Sequence, residues 1–128
     1  MRMKKKYFAK ALVFFNLFKN RRLTNQDIQD AEQKAPSLGE RADEFRLLIQ
    51  MGRDTFSGNY KMNTWNLSII VGTILYVVSP LDAIPDVVPI LGWLDDASIV
   101  GYAITKLADE LDRYRKAIAL RTAASKSS

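Results

Sequence analysis

The sequence predicts an all-α fold, a small bundle of about five helices in one structural domain. Apolar residues recur at three- and four-residue spacing along several stretches, and helix-start signals precede most of them. No run of useful length alternates with the period of two that a strand requires. With 128 residues, of which 48% are hydrophobic, the chain can bury about two-thirds of the surface that its unfolded state exposes. A core of this size needs no disulfide or metal to stabilise it.

The first helix is predicted over residues 4–19, where apolar residues at helical spacing form an unusually wide face. Such a helix either packs deeply against the core or lies on a membrane surface with its lysines among the headgroups. Lys10 interrupts the apolar run and no small-residue cleavage site comes after it, so we expect the segment to be retained rather than cleaved as a signal peptide. The residues expected to contact a membrane surface are Lys4, Lys5, Lys6, Lys10, Phe8 and Phe15.

Two capping boxes predict the next two helices. The segment Thr24–Asp27 opens a short helix that ends at about Lys34, and Ser37–Glu40 opens a longer one that ends at about Ser57. Gly58 then tolerates the left-handed conformation that commonly ends a helix. The sequence therefore predicts a helical hairpin over residues 23–62.

The most apolar helix is predicted from Thr64 to Val78, with Asn63 as its N-cap. Apolar side chains cover nearly all its sides, which is typical of a helix buried in protein or inserted in a bilayer. Its fifteen residues reach roughly 22 Å at ~1.5 Å each, short of the ~30 Å hydrocarbon core of a membrane. Burial in the centre of the bundle is therefore the preferred interpretation.

A proline-rich, kinked helical turn is predicted to join the last two long helices. Ser79 and Pro80 form a helix start, and Pro85 and Pro89 keep the helical segments after it short. The final helix is predicted to have Asp95 or Asp96 as its N-cap and to end at about Ala119. Two acid-before-base pairs four residues apart are expected to support it, namely Asp109 with Arg113 and Asp112 with Lys116. Residues 63–120 then form one helical region and residues 121–128 a flexible tail.

Charge is segregated along the chain. Residues 1–22 hold eight basic side chains and no acid, whereas residues 64–96 hold four acids and no base. Basic ends suit an anionic surface and also keep a protein in solution. The sequence contains neither His nor Cys, which excludes thiolate metal sites, a cysteine nucleophile and the commonest general base. Nucleic-acid binding is not expected, because no recognised motif accompanies the basic ends.

The four acids of the apolar region are the candidate site residues. Convergent carboxylates bind Mg²⁺ or Ca²⁺ and can support metal-assisted hydrolysis. Alternatively, they cap helices or pair with Arg41, Arg46 or Arg53. Capping and ion pairing is the preferred interpretation, and no catalytic residue is assigned. The four residues are Asp82, Asp86, Asp95 and Asp96.

Residues 76–96, YVVSPLDAIPDVVPILGWLDD, resemble the signature of the YkvA-like domain of unknown function family. The resemblance implies a small helical domain that is often described as membrane-associated, and it implies no established catalytic activity. Every fixed position of the signature is met here. These positions include Ser79, Pro80, Asp82, Pro85, Asp86, Pro89, Gly92, Asp95 and Asp96.

The sequence thus predicts a non-enzymatic, membrane-associated helical or adaptor module, located in the cytoplasm or at the cytoplasmic face of a membrane. Its expected partner is the membrane surface or another protein, and its oligomeric state stays open. One alternative is a carboxylate-bound divalent-metal site, with Mg²⁺ or Ca²⁺ as the ion, that supports hydrolysis. A second alternative is a soluble protein-interaction domain.

Overall fold

The computed structural model describes Asn16, residues 21–78 and residues 96–127. Every regular element in these ranges is helical, which confirms the all-α prediction for this part of the chain. The proline-rich turn lies outside it, and so does the predicted helix over 4–19 apart from Asn16, so the count of about five helices stays a prediction. The elements are α1 (Asn25–Lys34), a 3₁₀ segment (Ala35–Arg41), α2 (Ala42–Phe56), α3 (Thr64–Val78), α4 (Asp96–Lys106) and α5 (Ala108–Ser127).

Helix α1 begins at the predicted capping box. The Thr24 hydroxyl accepts a hydrogen bond from the Asp27 amide at 3.0 Å, and the Asp27 carboxylate accepts one from the Thr24 amide at 2.9 Å. Two amides at the helix start, which have no partner within the helix, are thereby satisfied. This prediction is confirmed.

The second predicted helix start is wrong. The Ser37 hydroxyl donates to the Lys34 carbonyl at 2.7 Å, so it satisfies the end of α1 instead of opening α2. Gly39 has a φ of 57° inside the 3₁₀ segment, a conformation that glycine adopts at little cost. Helix α2 consequently begins at Ala42, five residues after Ser37.

Helix α3 has the predicted bounds and lies at the centre of the bundle. The Asn63 side chain caps it by accepting from the Asn66 amide at 2.7 Å. Helices α1, α2 and α4 pack around it, and every residue from 68 to 77 is buried. The prediction that this helix is covered by protein is confirmed. In the described part of the chain, no helix combines the length and the apolar character needed to cross a membrane.

The close packing of α2 on α3 depends on Gly52. A Cβ atom at this position would lie 3.2 Å from Leu23 Cδ1 and 3.3 Å from Ile70 Cγ2. These distances are tighter than ordinary van der Waals contact, so a larger side chain would push the helices apart. Leu23 is itself only 8% exposed. It therefore anchors the chain that precedes α1 between α2 and α3.

The last predicted helix is divided at Leu107 into α4 and α5. Helical hydrogen bonding persists there, because the Leu107 amide donates to the Ala103 carbonyl at 2.9 Å and its carbonyl accepts from the Leu111 amide at 2.8 Å. Helix α5 continues to Ser127, beyond the predicted end at about Ala119. Residues 121–128 were predicted to be a tail; those up to 127 are helical, and whether they are flexible stays a prediction.

We expect Gly52→Leu to lower the free energy of unfolding by about 1–3 kcal/mol, because overpacking a tight helix crossing forces the backbones to move. Urea unfolding followed by circular dichroism measures the change. The matched control is Gln50→Leu, an exposed position on the same helix, for which the change should stay within about 0.5 kcal/mol. Equal effects at the two positions would contradict the close approach at Gly52.

Candidate functional site

Most predicted site residues lie outside the described residues. This is so for Asp82, Asp86 and Asp95, for the predicted membrane-contact residues within 1–15, and for the signature positions between 79 and 95. Asp96 is described, and it is the first residue of α4. A carboxylate there complements the helix dipole, which fits the preferred interpretation for this one residue.

Convergence of the four carboxylates on a metal ion stays a prediction. Among the residues that the structure describes, no group of three or more His, Cys, Asp or Glu side chains is arranged to hold a metal ion.

The three arginines considered as partners for those acids each have another carboxylate partner. Arg41 bonds Glu44 at 2.6 Å, and Arg46 bonds Asp43 at 3.0 Å. Arg53 pairs with Glu32 on α1. Arg41 also packs against α4, since its guanidinium lies 3.1–3.4 Å from where a Cβ of Gly101 would be. The absence of a side chain at Gly101 thus lets the 3₁₀ segment approach α4 closely.

A cluster of polar side chains joined by hydrogen bonds surrounds Glu110 on α5. Its side chain is 2% exposed. Tyr60 donates its hydroxyl to Oε2 at 2.6 Å, and Asn66 donates from Nδ2 to Oε1 at 3.0 Å. Arg113 donates from Nε at 2.8 Å and from Nη2 at 2.5 Å, both to Oε2. Hydrogen bonds from three residues offset the free-energy cost of removing this carboxylate from water.

These donors lie on different elements and therefore join them. Tyr60 is in the loop between α2 and α3, Asn66 is in the first turn of α3, and Arg113 is one turn further along α5. Arg113 also donates from Nη2 to the backbone carbonyl of Lys61 at 3.0 Å. The cluster thus fixes α5 against the α2–α3 loop.

A second cluster joins α5 directly to α2. Tyr114 of α5 donates its hydroxyl to Asp54 Oδ2 on α2 at 2.5 Å, and Arg121 donates from Nη2 to the same oxygen at 3.1 Å. The rings of Tyr60 and Tyr114 meet edge to face, with centroids 4.9 Å apart and an interplanar angle of 87°. Both tyrosine hydroxyls thus bond carboxylates across the boundary between α5 and residues 54–60. We call these residues the tyrosine–carboxylate clamp: Asp54, Tyr60, Glu110, Arg113, Tyr114 and Arg121.

The surroundings of Glu110 and of the two tyrosines shift the pKa of each of these three groups. Burial raises the pKa of Glu110, but the hydrogen bonds from Tyr60, Asn66 and Arg113 and the charge of Arg113 outweigh it, so the pKa lies below its usual value. Burial and the bond to Glu110 raise the pKa of Tyr60 to about 12. Burial and the bond to Asp54 also raise the pKa of Tyr114. Near neutral pH the carboxylate of Glu110 is ionised, and its low proton affinity makes it a poor general base.

An open cleft of about 400 Å³ borders Glu110. Its walls carry both signs of charge, because Lys61 and Arg113 line it together with Asp109 and Glu110. The Glu110 carboxylate is already bonded to donors of the protein itself. In the described structure, the Glu110 site therefore serves to join α5 to α3 and to the loop between α2 and α3.

The sequence prediction for Arg113 is wrong in its partner, since Arg113 bonds Glu110 and not Asp109. Glu110 was missed altogether. One signal was available: Glu110 lies three residues after Leu107 and four before Tyr114, on the buried face of the helix. A glutamate at such a position needs donors from another element.

The fold defines a class of protein, namely an all-helical domain built around an uncharged central helix. Residues 66–102, which include most of α3 and the first part of α4, match the family described as "Protein of unknown function (DUF1232)". The chain is similar to "Uncharacterized membrane protein YkvA" of Bacillus subtilis (strain 168), with 43% identity over 69 residues. That alignment covers 53% of this chain and 65% of the relative. No solved structure matches the chain.

The two matches confirm the resemblance stated from the signature: residues 66–102 match a domain of unknown function, and the similar relative carries the name YkvA. The match includes Asn66, one of the donors to Glu110. All six members of the clamp lie outside residues 66–102.

We expect Glu110→Gln to lower the free energy of unfolding by about 1.5–3 kcal/mol, because hydrogen bonds to a buried charge contribute about that much. Thermal or urea unfolding at neutral pH measures the loss. The control is Asp43→Asn, which alters an arginine–carboxylate pair of the same spacing whose Asp43 side chain is 97% exposed. That substitution should cost less than about 1 kcal/mol. Similar losses for both variants would contradict a buried, bonded Glu110.

The difference in stability between the wild type and Glu110→Gln should depend on pH. A carboxylate with a depressed pKa contributes stability that is fully present above the ordinary pKa of glutamate and is lost as the pH falls through the folded-state pKa. The difference should therefore be constant near neutral pH and shrink between about pH 5 and pH 3. Unfolding midpoints measured across this range test it, and a difference that grows on acidification would refute the assignment.

Proposed function

We propose that the protein is a non-enzymatic helical module that associates with the cytoplasmic face of a membrane through its basic N-terminal segment, residues 1–22. The single observation that carries the proposal is the likeness to a relative whose name calls it a membrane protein. The segregation of charge supports it, since eight bases without an acid suit the anionic cytoplasmic leaflet.

The structure supports a surface association over one that uses the apolar helix. Ile69, Ile70 and Leu75 on α3 are at most 2% exposed, because α1, α2 and α4 cover them. Their apolar surface is already removed from water without lipid. Attraction to the membrane is therefore assigned to groups outside this core.

The basic segment is held to the bundle where it ends. Arg22 lies over the ring of Phe56 at 4.9 Å from its centroid, and the next residue, Leu23, is buried beside Gly52. A cation over an aromatic face contributes a modest attraction at an exposed site. The basic segment therefore ends beside the last turn of α2.

We expect the full chain to bind vesicles of phosphatidylcholine and phosphatidylglycerol in ~0.1 M salt and to dissociate in ~1 M salt, where charge attraction is screened. The variant Lys4→Gln/Lys5→Gln should bind about ten- to thirty-fold more weakly, since each base near the surface contributes about 1 kcal/mol. Flotation measures the bound fraction.

The control is Lys34→Gln/Lys61→Gln, which removes two exposed charges outside the basic segment. Its binding should stay within about two-fold of the wild type. A wild-type chain that stays monodisperse without detergent and binds no acidic vesicle at either salt concentration would refute the proposal. That result would favour the soluble protein-interaction domain.

A further inference from the structure

The C-terminal part of the chain repeats the charge pattern of the N-terminal segment. Residues 113–128 hold five basic side chains and no acid. The first half of α5 differs, because its acids Asp109, Glu110 and Asp112 all precede this stretch. Helix α5 therefore changes from acidic to basic along its length.

The basic half of α5 is open to solvent. Arg115 and Lys116 are exposed, and so are all residues from 119 to 125. Leu120 is 72% exposed, the largest exposure of a bulky apolar side chain among the described residues. Since Lys116 and Leu120 are four residues apart, they lie one turn from each other on one face of the helix. An apolar side chain beside a cation on a solvated face suits the boundary between lipid headgroups and acyl chains.

Both acid-free basic stretches are tied to the last turn of α2. Arg121 and Tyr114 from α5 bond the Asp54 carboxylate. Arg22, at the end of the N-terminal segment, lies over Phe56, two residues further along the same helix. The last turn of α2 thus contacts the end of the N-terminal basic stretch through Phe56 and the middle of the C-terminal basic stretch through Asp54.

We infer that the C-terminal half of α5 is a second contact with the anionic membrane surface, made by Arg115, Lys116 and Leu120. The inference rests on the proposed function and adds a site to it. Arg22 of one stretch and Arg121 of the other both contact the last turn of α2, so binding of one stretch raises the effective concentration of the other at the membrane and the two contacts strengthen each other.

Lipid is favoured over nucleic acid as the anionic partner. A phosphate backbone would use the cations alone, whereas Leu120 gains free energy only where it leaves water. The curated relative that the chain matches also carries the name of a membrane protein.

The test uses the full chain and vesicles of phosphatidylcholine and phosphatidylglycerol. The variant Arg115→Gln/Lys116→Gln should bind about ten- to thirty-fold more weakly in ~0.1 M salt. Leu120→Ser should bind about three-fold more weakly or worse, because it removes apolar surface from the contact. Lys34→Gln/Lys61→Gln is again the matched control. Circular dichroism checks that each variant keeps its helices, as expected for exposed positions.

The outcomes separate this inference from the proposed function. If the wild type binds and Lys4→Gln/Lys5→Gln weakens binding, but Arg115→Gln/Lys116→Gln behaves like the control, only the second contact is refuted. If the wild type binds no vesicle, both the proposed function and the second membrane contact are refuted. If a DNA duplex binds the chain more tightly than vesicles do, and Arg115→Gln/Lys116→Gln weakens that binding, the partner is nucleic acid and the inference is overturned.

Discussion

The burial of α3 is the constraint on which the rest of the described structure depends. This helix carries no charged residue, and its side chains must be removed from water on all sides. The buried hydroxyls of Thr73 and Ser68 are satisfied within the helix, since Thr73 donates to the Ile69 carbonyl and Ser68 to the Trp65 carbonyl. Each large apolar side chain buried here contributes about 1.5–3 kcal/mol. This burial is achieved because α1, α2 and α4 surround α3, and because Gly52 lets α2 approach α3 closely.

The clamp has a different role: it attaches α5, which contributes only a few side chains to the core. Few apolar side chains of α5 are buried, among them Leu111 and Tyr114. Hydrogen bonds to two carboxylates supply orientation that apolar contact alone lacks, because they are directional. The cost of burying Glu110 is offset only in one arrangement of the loop between α2 and α3, so the clamp also selects the conformation of that loop.

Local signals predicted the fold well where they act within one turn. The capping box at Thr24, the cap at Asn63 and the left-handed Gly58, with a φ of 85°, are all present. The start at Ser37 could not be predicted, because its hydroxyl can either accept from an amide as an N-cap or donate to the Lys34 carbonyl, and the choice depends on the kink at Gly39. The clamp could not be predicted either, because Tyr60 and Glu110 are 50 residues apart and their pairing depends on how α5 lies against the loop between α2 and α3.

The way in which α5 is held has a consequence for the dynamics of the protein. Its links to Asp54 and Tyr60 are side-chain bonds that span 50 residues or more, whereas the contacts of α3 with α2 are dense and apolar. Such a helix can open as a cooperative unit while the rest of the fold persists. Amide hydrogens of α5 would then exchange with solvent through partial unfolding, and those of α3 through global unfolding.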